Sequence, residues 1–214
     1  MSLTVQGARE ARKTPVQARS TFTVEAIFEA AVQVLLELGS DRLTTTRVAA
    51  RAGVSVGTLY QYYPNKQALL FAILSRHLGQ VQDAVEEACT THRGRPLPIM
   101  MEAVVTAFVD VKMRRPDVAM ALYGIAAELG GAAVVRKITK RSQTALVMAL
   151  QAAPSVIFED AAFTAMMLSA AMAGSTRAVL EAGAPPRMVR QLRRELVVLC
   201  CGYLKGAAKK IALA

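Results

Sequence analysis

At 214 residues the chain can hold one compact domain or two small ones, and 53% apolar residues provide for a large core. Few aromatics, no Trp and abundant Ala, Leu, Val and Met favour helix, and no alternating β-branched run bounded by turns points to a sheet. The formal net charge of +10 suits a nucleic-acid partner but says nothing about fold.

That charge is unevenly placed. Residues 1–23 carry net +3, residues 24–66 net 0, residues 67–183 net +1 and residues 184–214 net +6. The excess therefore sits at the two ends, and the C-terminal share reads as a solvated helix face. Cys89, Cys200 and Cys201 have no metal-ligand spacing and make no even disulfide set, so they read as small buried hydrophobes in a reducing cytoplasm. The first residues hold no apolar segment of the secretory kind. The uncharged stretches Ser142 to Phe158 and Ala161 to Thr176 are shorter than the ~20 residues of a membrane-spanning helix. A cytoplasmic protein without a membrane partner is expected.

In chain order, residues 1–22 predict a flexible basic arm containing Arg9, Arg12, Lys13 and Arg19. It is either a plain solvated tail or an arm that follows a phosphate backbone or enters a minor groove. Val24, Ile27, Phe28, Ala31, Leu35 and Leu38 predict a first helix over 23–38, ended by Gly39.

The stretch from Thr44 to Lys66, TTTRVAARAGVSVGTLYQYYPNK, predicts helix, glycine turn and helix. Thr44 caps a helix over about 45–52, Gly53 ends it, Ser55 caps a second over about 56–62, and Pro64 stops that one. Ala49 is small where the helices should cross, with Val54 and Leu59 as the wedge. The surface left over is hydroxyls, an amide and cations: Thr44, Thr45, Thr46, Arg47, Ser55, Thr58, Tyr60, Gln61, Tyr62 and Lys66. Such donors suit phosphate oxygens and base edges. Gly57 would let the second helix's backbone approach a ligand closely. A helical hairpin with a polar outer face is the plainer alternative.

A long helix over about 65–90 follows, an expected connector spanning ~37 Å. THRGRPLP at 91–98 reads as a linker, and helices are expected at 97–114, 116–129, 132–153, 155–181 and from the Pro185–Pro186 pair to about 205, nine in all. Met100, Met101, Phe108, Met120, Tyr123, Phe163, Met166 and Met167 are candidates to line a pocket, or else ordinary core. Asp110 and Arg177 could orient a ligand's polar group, or Arg177 could pair with Glu181. The small residues of 161–175 and the stripe Leu192, Leu196, Leu199 and Tyr203 would serve either an interface between two chains or an internal core.

LTTTRVAARAGVSVGTLYQYYPNKQALL resembles the DNA-binding signature of the tetracycline-repressor (TetR) family of bacterial transcriptional regulators, over about 23–70. The resemblance implies an all-α, nine-helix TetR-like architecture. Residues 23–70 would form a three-helix helix-turn-helix domain, and 71–214 an effector-binding and dimerisation domain. It implies double-stranded operator DNA, a second copy of the chain through the last two helices and an unidentified small effector as partners. Thr44 would belong to the DNA-binding set; Thr45, Ser55, Thr58, Tyr62 and Lys66 would hold phosphates; Thr46, Val56, Gly57, Tyr60 and Gln61 would face bases. Val56 is apolar where many relatives carry a polar residue, which suggests contact with a thymine methyl.

The function expected is a repressor released from a palindromic operator by a small, largely hydrophobic effector. A DNA-binding architectural or division-control protein without an effector is the alternative. An enzyme would need a nucleophile–base pair, a metal set or a glycine-rich phosphate loop, and two isolated histidines supply none. No cofactor and no metal are expected.

Overall fold

The structure, a computed structural model, describes residues 15–210 and the side chains of residues 20–209. Arg9, Arg12 and Lys13 of the expected arm lie outside the described residues, as does the Arg19 side chain. The chain divides into two compact units, Met1–Leu69 and Leu70–Ala214.

The first unit contains α1 (Pro15–Arg42), α2 (Thr45–Ala52), α3 (Val56–Tyr62) and the first turn of α4 (Lys66–Thr91). Helix α1 starts at Pro15 rather than near Thr23, so residues 15–22 of the expected arm are helix. A proline in the first turn lacks only an amide that no helix can pair there. Gly39 breaks α1 at φ 76° and ψ 170°, where its apolar stripe ends. Ile27, Ala31, Leu35, Val48, Ala49 and Leu59 form the buried interior.

The second unit continues α4 and adds α5 (Leu97–Arg114), α6 (Pro116–Glu128), α7 (Ala132–Ile138), α8 (Lys140–Gln151), β1 (Val156–Phe158), α9 (Ala161–Glu181), α10 (Pro186–Ala207) and β2 (Ala208–Lys210). Ten helices are thus present among the described residues, not nine. The extra one arises because the helix expected over 132–153 breaks at Thr139. There the hydroxyl donates to the Val135 carbonyl at 2.9 Å and the Thr139 carbonyl accepts from Ser142 Oγ at 3.0 Å. These local bonds compete with the helical ladder.

The expectation of no sheet is also corrected. β1 pairs antiparallel with β2, Ile157 opposite Lys209, and α9 begins only at Ala161. Asp160 caps α9, its carboxylate accepting from the Phe163 amide at 2.8 Å.

The core of this unit joins Met101, Val104, Val105 and Val109 of α5 to Leu146 and Leu150 of α8, Leu168 and Met172 of α9, and Leu196 and Cys200 of α10. Burial pushes the Cys89 thiol up to about 12, with Glu86 adding to the effect, and the Cys200 thiol up to about 11, with Cys201 adding. Both stay protonated at neutral pH and act as small apolar groups. Arg141 of α8 bridges to Asp83 at 2.5 Å and Glu86 at 2.7 Å, tying α8 to α4.

Apolar residues also point outward on two helices that pack together. Phe163 (54% exposed), Met166 and Met167 do so on α9, and Val198 (66% exposed) and Leu199 on α10. Leu192 and Leu196 face the core instead, so Leu199 does not continue their stripe; Cys200 and Leu204 do.

His77 occupies a core position of α4. Burial, then the nearby Lys112 charge, pushes its imidazole down to about 4. The folded state therefore disfavours the imidazolium, and stability present above pH 6.5 is lost as pH falls toward 4. That loss totals about 3 kcal/mol for a shift of this size. Chemical denaturation of His77→Gln across this window is expected to show a flatter pH dependence than the wild type.

Candidate DNA-binding surface

Three local devices fix the α2–turn–α3 segment. Thr44 caps α2, its Oγ1 accepting from the Arg47 amide at 3.3 Å. Gly53 ends α2 in the left-handed region (φ 68°, ψ 28°), and the Val54 amide reaches back to the Ala49 carbonyl at 3.0 Å while the Gly53 amide reaches Ala50 at 3.3 Å. This paired closure needs a residue that tolerates positive φ, which glycine does without strain. Ser55 caps α3, its Oγ accepting from the Thr58 amide at 2.9 Å and lying 2.8 Å from the Thr58 hydroxyl. Leu59 then fills the interior, fully buried beside Ala49. Arg51 clamps α2 to α1 through Glu37, with contacts of 2.7 and 2.5 Å. The hydrogen bond from Arg51 holds the Glu37 carboxyl below the usual carboxylate range.

This architecture places the expected site residues in two groups. Thr44, Thr46, Ser55, Gly57, Tyr60 and Gln61 are exposed; Thr45, Val56, Thr58, Tyr62 and Lys66 are half-buried. The Thr45 hydroxyl lies 3.2 Å from the Tyr60 hydroxyl, which joins the start of α2 to the outward side of α3. Tyr62 donates to Ser20 Oγ of α1 at 3.3 Å, and Lys66 Nζ donates to the Ser40 carbonyl at 2.7 Å. These two therefore also fasten α3 and the start of α4 to α1. A Cβ on Gly57 would meet only Ser55 Oγ, at 3.7 Å, so nothing inside the chain demands glycine there. Ser20 is a residue that sequence reasoning missed; it lies 42 positions from its partner, and no local pattern marks it.

In the second unit, the candidate pocket residues separate. Met100, Met101 and Phe108 are buried, Met120 and Tyr123 half-buried, while Phe163, Met166 and Met167 face outward. Asp110 pairs with Arg193 of α10, and Arg177 pairs with Glu181 at 2.8 Å. Lys112, buried on α5, was not among the expected residues. Its signal was a lysine four residues after Phe108 in an otherwise apolar stripe.

Residues 27–73 match the family model described as bacterial regulatory proteins of the tetR family, and residues 96–204 match the tetracyclin repressor-like C-terminal domain. The chain is similar to the transcriptional repressor BepR of Brucella suis, 32% identical over 96 residues, 45% of each chain. The matches span between about a quarter and half of the curated relatives' lengths. Among solved structures it is similar to a putative TetR-family regulator from Mesorhizobium loti, with TM-score 0.70, 17% identity and coverage of 87% of this chain and 97% of that one. It is also similar to FadR of Bacillus subtilis in complex with stearoyl-CoA, with TM-score 0.66, 18% identity and coverage of 83% and 97%. At these identities the structural likeness concerns fold.

Gly53→Ala forces a Cβ into the left-handed region and is expected to lower stability by roughly 1–2 kcal/mol, measurable by urea denaturation.

Proposed function

Because the chain belongs to the tetracycline-repressor family of bacterial regulatory proteins, we propose that it is a homodimeric, sequence-specific DNA-binding regulator, a repressor that a small, largely apolar effector releases from a palindromic operator. The observation that carries this reading is the capped α2–α3 pair, which holds Gly57, Tyr60 and Gln61 on the outward side of a short helix fixed from behind by Leu59.

In this reading α3 enters the major groove. Thr46, Val56, Gly57, Tyr60 and Gln61 face bases, and Thr44, Thr45, Ser55, Thr58, Tyr62 and Lys66 hold the segment to the backbone phosphates. Lys66 does so while anchored to α1, its ammonium having three donors, whereas Tyr62 must turn its one hydroxyl proton from Ser20 to the phosphate. Gly57 allows the α3 backbone to come close to the DNA, the use that an exposed, unconstrained glycine suggests.

Two copies of α3 would lie about one DNA turn apart, ~34–36 Å. The outward apolar residues of α9 and α10 support a second copy as the partner, since an exposed patch of this kind is costly in water. An effector acts only to the extent that it binds the released state more tightly than the DNA-bound one.

Two measurements test this. Gln61→Ala is expected to weaken binding to the operator by about 1–3 kcal/mol while leaving random DNA unaffected, read by fluorescence anisotropy at fixed salt. Equal losses on both DNAs would refute base readout by Gln61. Val198→Glu combined with Phe163→Glu should yield a monomer by sedimentation and lose operator affinity; an unaltered dimer would remove α9 and α10 from the interface.

A further inference from the structure

The second unit carries a polar cluster that its apolar core does not need. Lys112 stands one turn past Phe108 on α5, at a position where the stripe Val104, Val105, Phe108 and Val109 favours an aliphatic side chain. It is buried, with its ammonium 5.0 Å from the centroid of the Tyr123 ring on α6. No carboxylate meets it among the described residues: Asp110 is paired with Arg193, and Glu181 with Arg177. Arg177 lies 5.2 Å from the same ring, so one aromatic side chain serves two cations. His77 of α4 is near enough for the Lys112 charge to depress its imidazole further, after burial.

Four buried atoms in these elements lack a hydrogen-bond partner: Ser75 Oγ, His77 Nε2, Tyr123 OH and Thr176 Oγ1. Thr176 lies on the buried stripe of α9, one turn past Met172. Buried polar atoms are almost always paired, and a buried ammonium without a counter-charge is among the costliest groups in a protein interior. The contact with Tyr123 offsets only part of that cost. An ammonium, a phenol and an imidazole can all donate, and the net charge is positive. One chemistry satisfies all of them together, an acceptor-rich anion.

We propose that Lys112, His77 and Tyr123 form the head-group seat for an organic oxyanion, a carboxylate or a phosphate monoester, whose apolar body lies along Phe108 and Met172. This rests on the reading of the second unit as effector-binding and gives that effector a charge. Burial brings the Lys112 ammonium down to about 8, so it is still mostly protonated at neutral pH and able to meet an anion. Grooves open to solvent along Val147, Gln151 and Ile157 and along Glu86, Arg93 and Met148 contain none of the seat residues.

The test titrates the full chain with octanoate, octyl phosphate, 1-octanol and octyltrimethylammonium, each below its micelle concentration, by calorimetry and thermal shift at constant ionic strength. At least one of the two anions is expected to bind and raise the melting temperature, with the alcohol and the cation inert. Preference between the anions tells carboxylate from phosphate. Lys112→Met, which removes a buried charge and should melt no lower than the wild type without ligand, is expected to weaken anion binding roughly tenfold or more. Tyr123→Phe keeps the ring and should weaken it about fivefold.

The proposal is overturned if neither anion binds, if octanol binds equally well, or if Lys112→Met leaves affinity unchanged. Anion binding that leaves operator affinity intact would uphold the seat and refute release by an effector. Intact operator binding with no anion bound would refute the seat alone.

Discussion

A helix of seven residues does not persist by itself in water, because nucleation costs more than so few backbone bonds recover. α3 exists because its neighbours impose it. Leu59 is fully buried, which contributes about 1.5–3 kcal/mol, and the Ser55 cap adds about 1 kcal/mol. The Gly53 turn sets the direction in which α3 leaves α2. Everything proposed for the outward side of α3 depends on this support, since Gly57, Tyr60 and Gln61 have a defined arrangement only while the far side of the same helix is held.

In the second unit the informative residues are those on the unexpected side of the surface. Phe163, Met166, Val198 and Leu199 are apolar and face out; Lys112, His77 and Thr176 are polar and face in. A single exposed Leu is ordinary, but a patch across two packed helices is not. A buried threonine is ordinary when its hydroxyl finds a carbonyl, as Thr164 does with Asp160 at 2.8 Å, and unusual when it finds nothing, as with Thr176. These two inversions are what the proposed second copy and the proposed oxyanion seat rest on.

Legibility followed the range of the interactions. The bounds of α2, α3 and α5 could be read because their signals are local: a capping Thr or Ser, a glycine with positive φ, a proline at the edge. The break at Thr139 carries no Gly or Pro and comes from side-chain bonds one turn away. The β1–β2 pair joins residues about fifty positions apart, and the sequence Ala-Lys-Lys has no strand pattern of its own. The small residues of 161–175 did not tell which side of α9 the chain would bury, so Phe163, Met166 and Met167 read as pocket lining or else core. Lys112 was visible as a break in an apolar stripe. A long cation usually carries its charge to solvent along its own stem, however, and only the packing shows that here it does not.

The small β1–β2 ribbon has a practical consequence for anyone engineering the carboxyl end. It fastens Ala208–Lys210 to the strand just before α9, and Lys209 adds a 2.7 Å contact to Glu159. Shortening the chain before Ala208 would strip β1 of its partner and loosen the entry to α9. Clipped versions should therefore be judged first by protease sensitivity around Pro154 and Ser155, before any defect is blamed on the helices themselves.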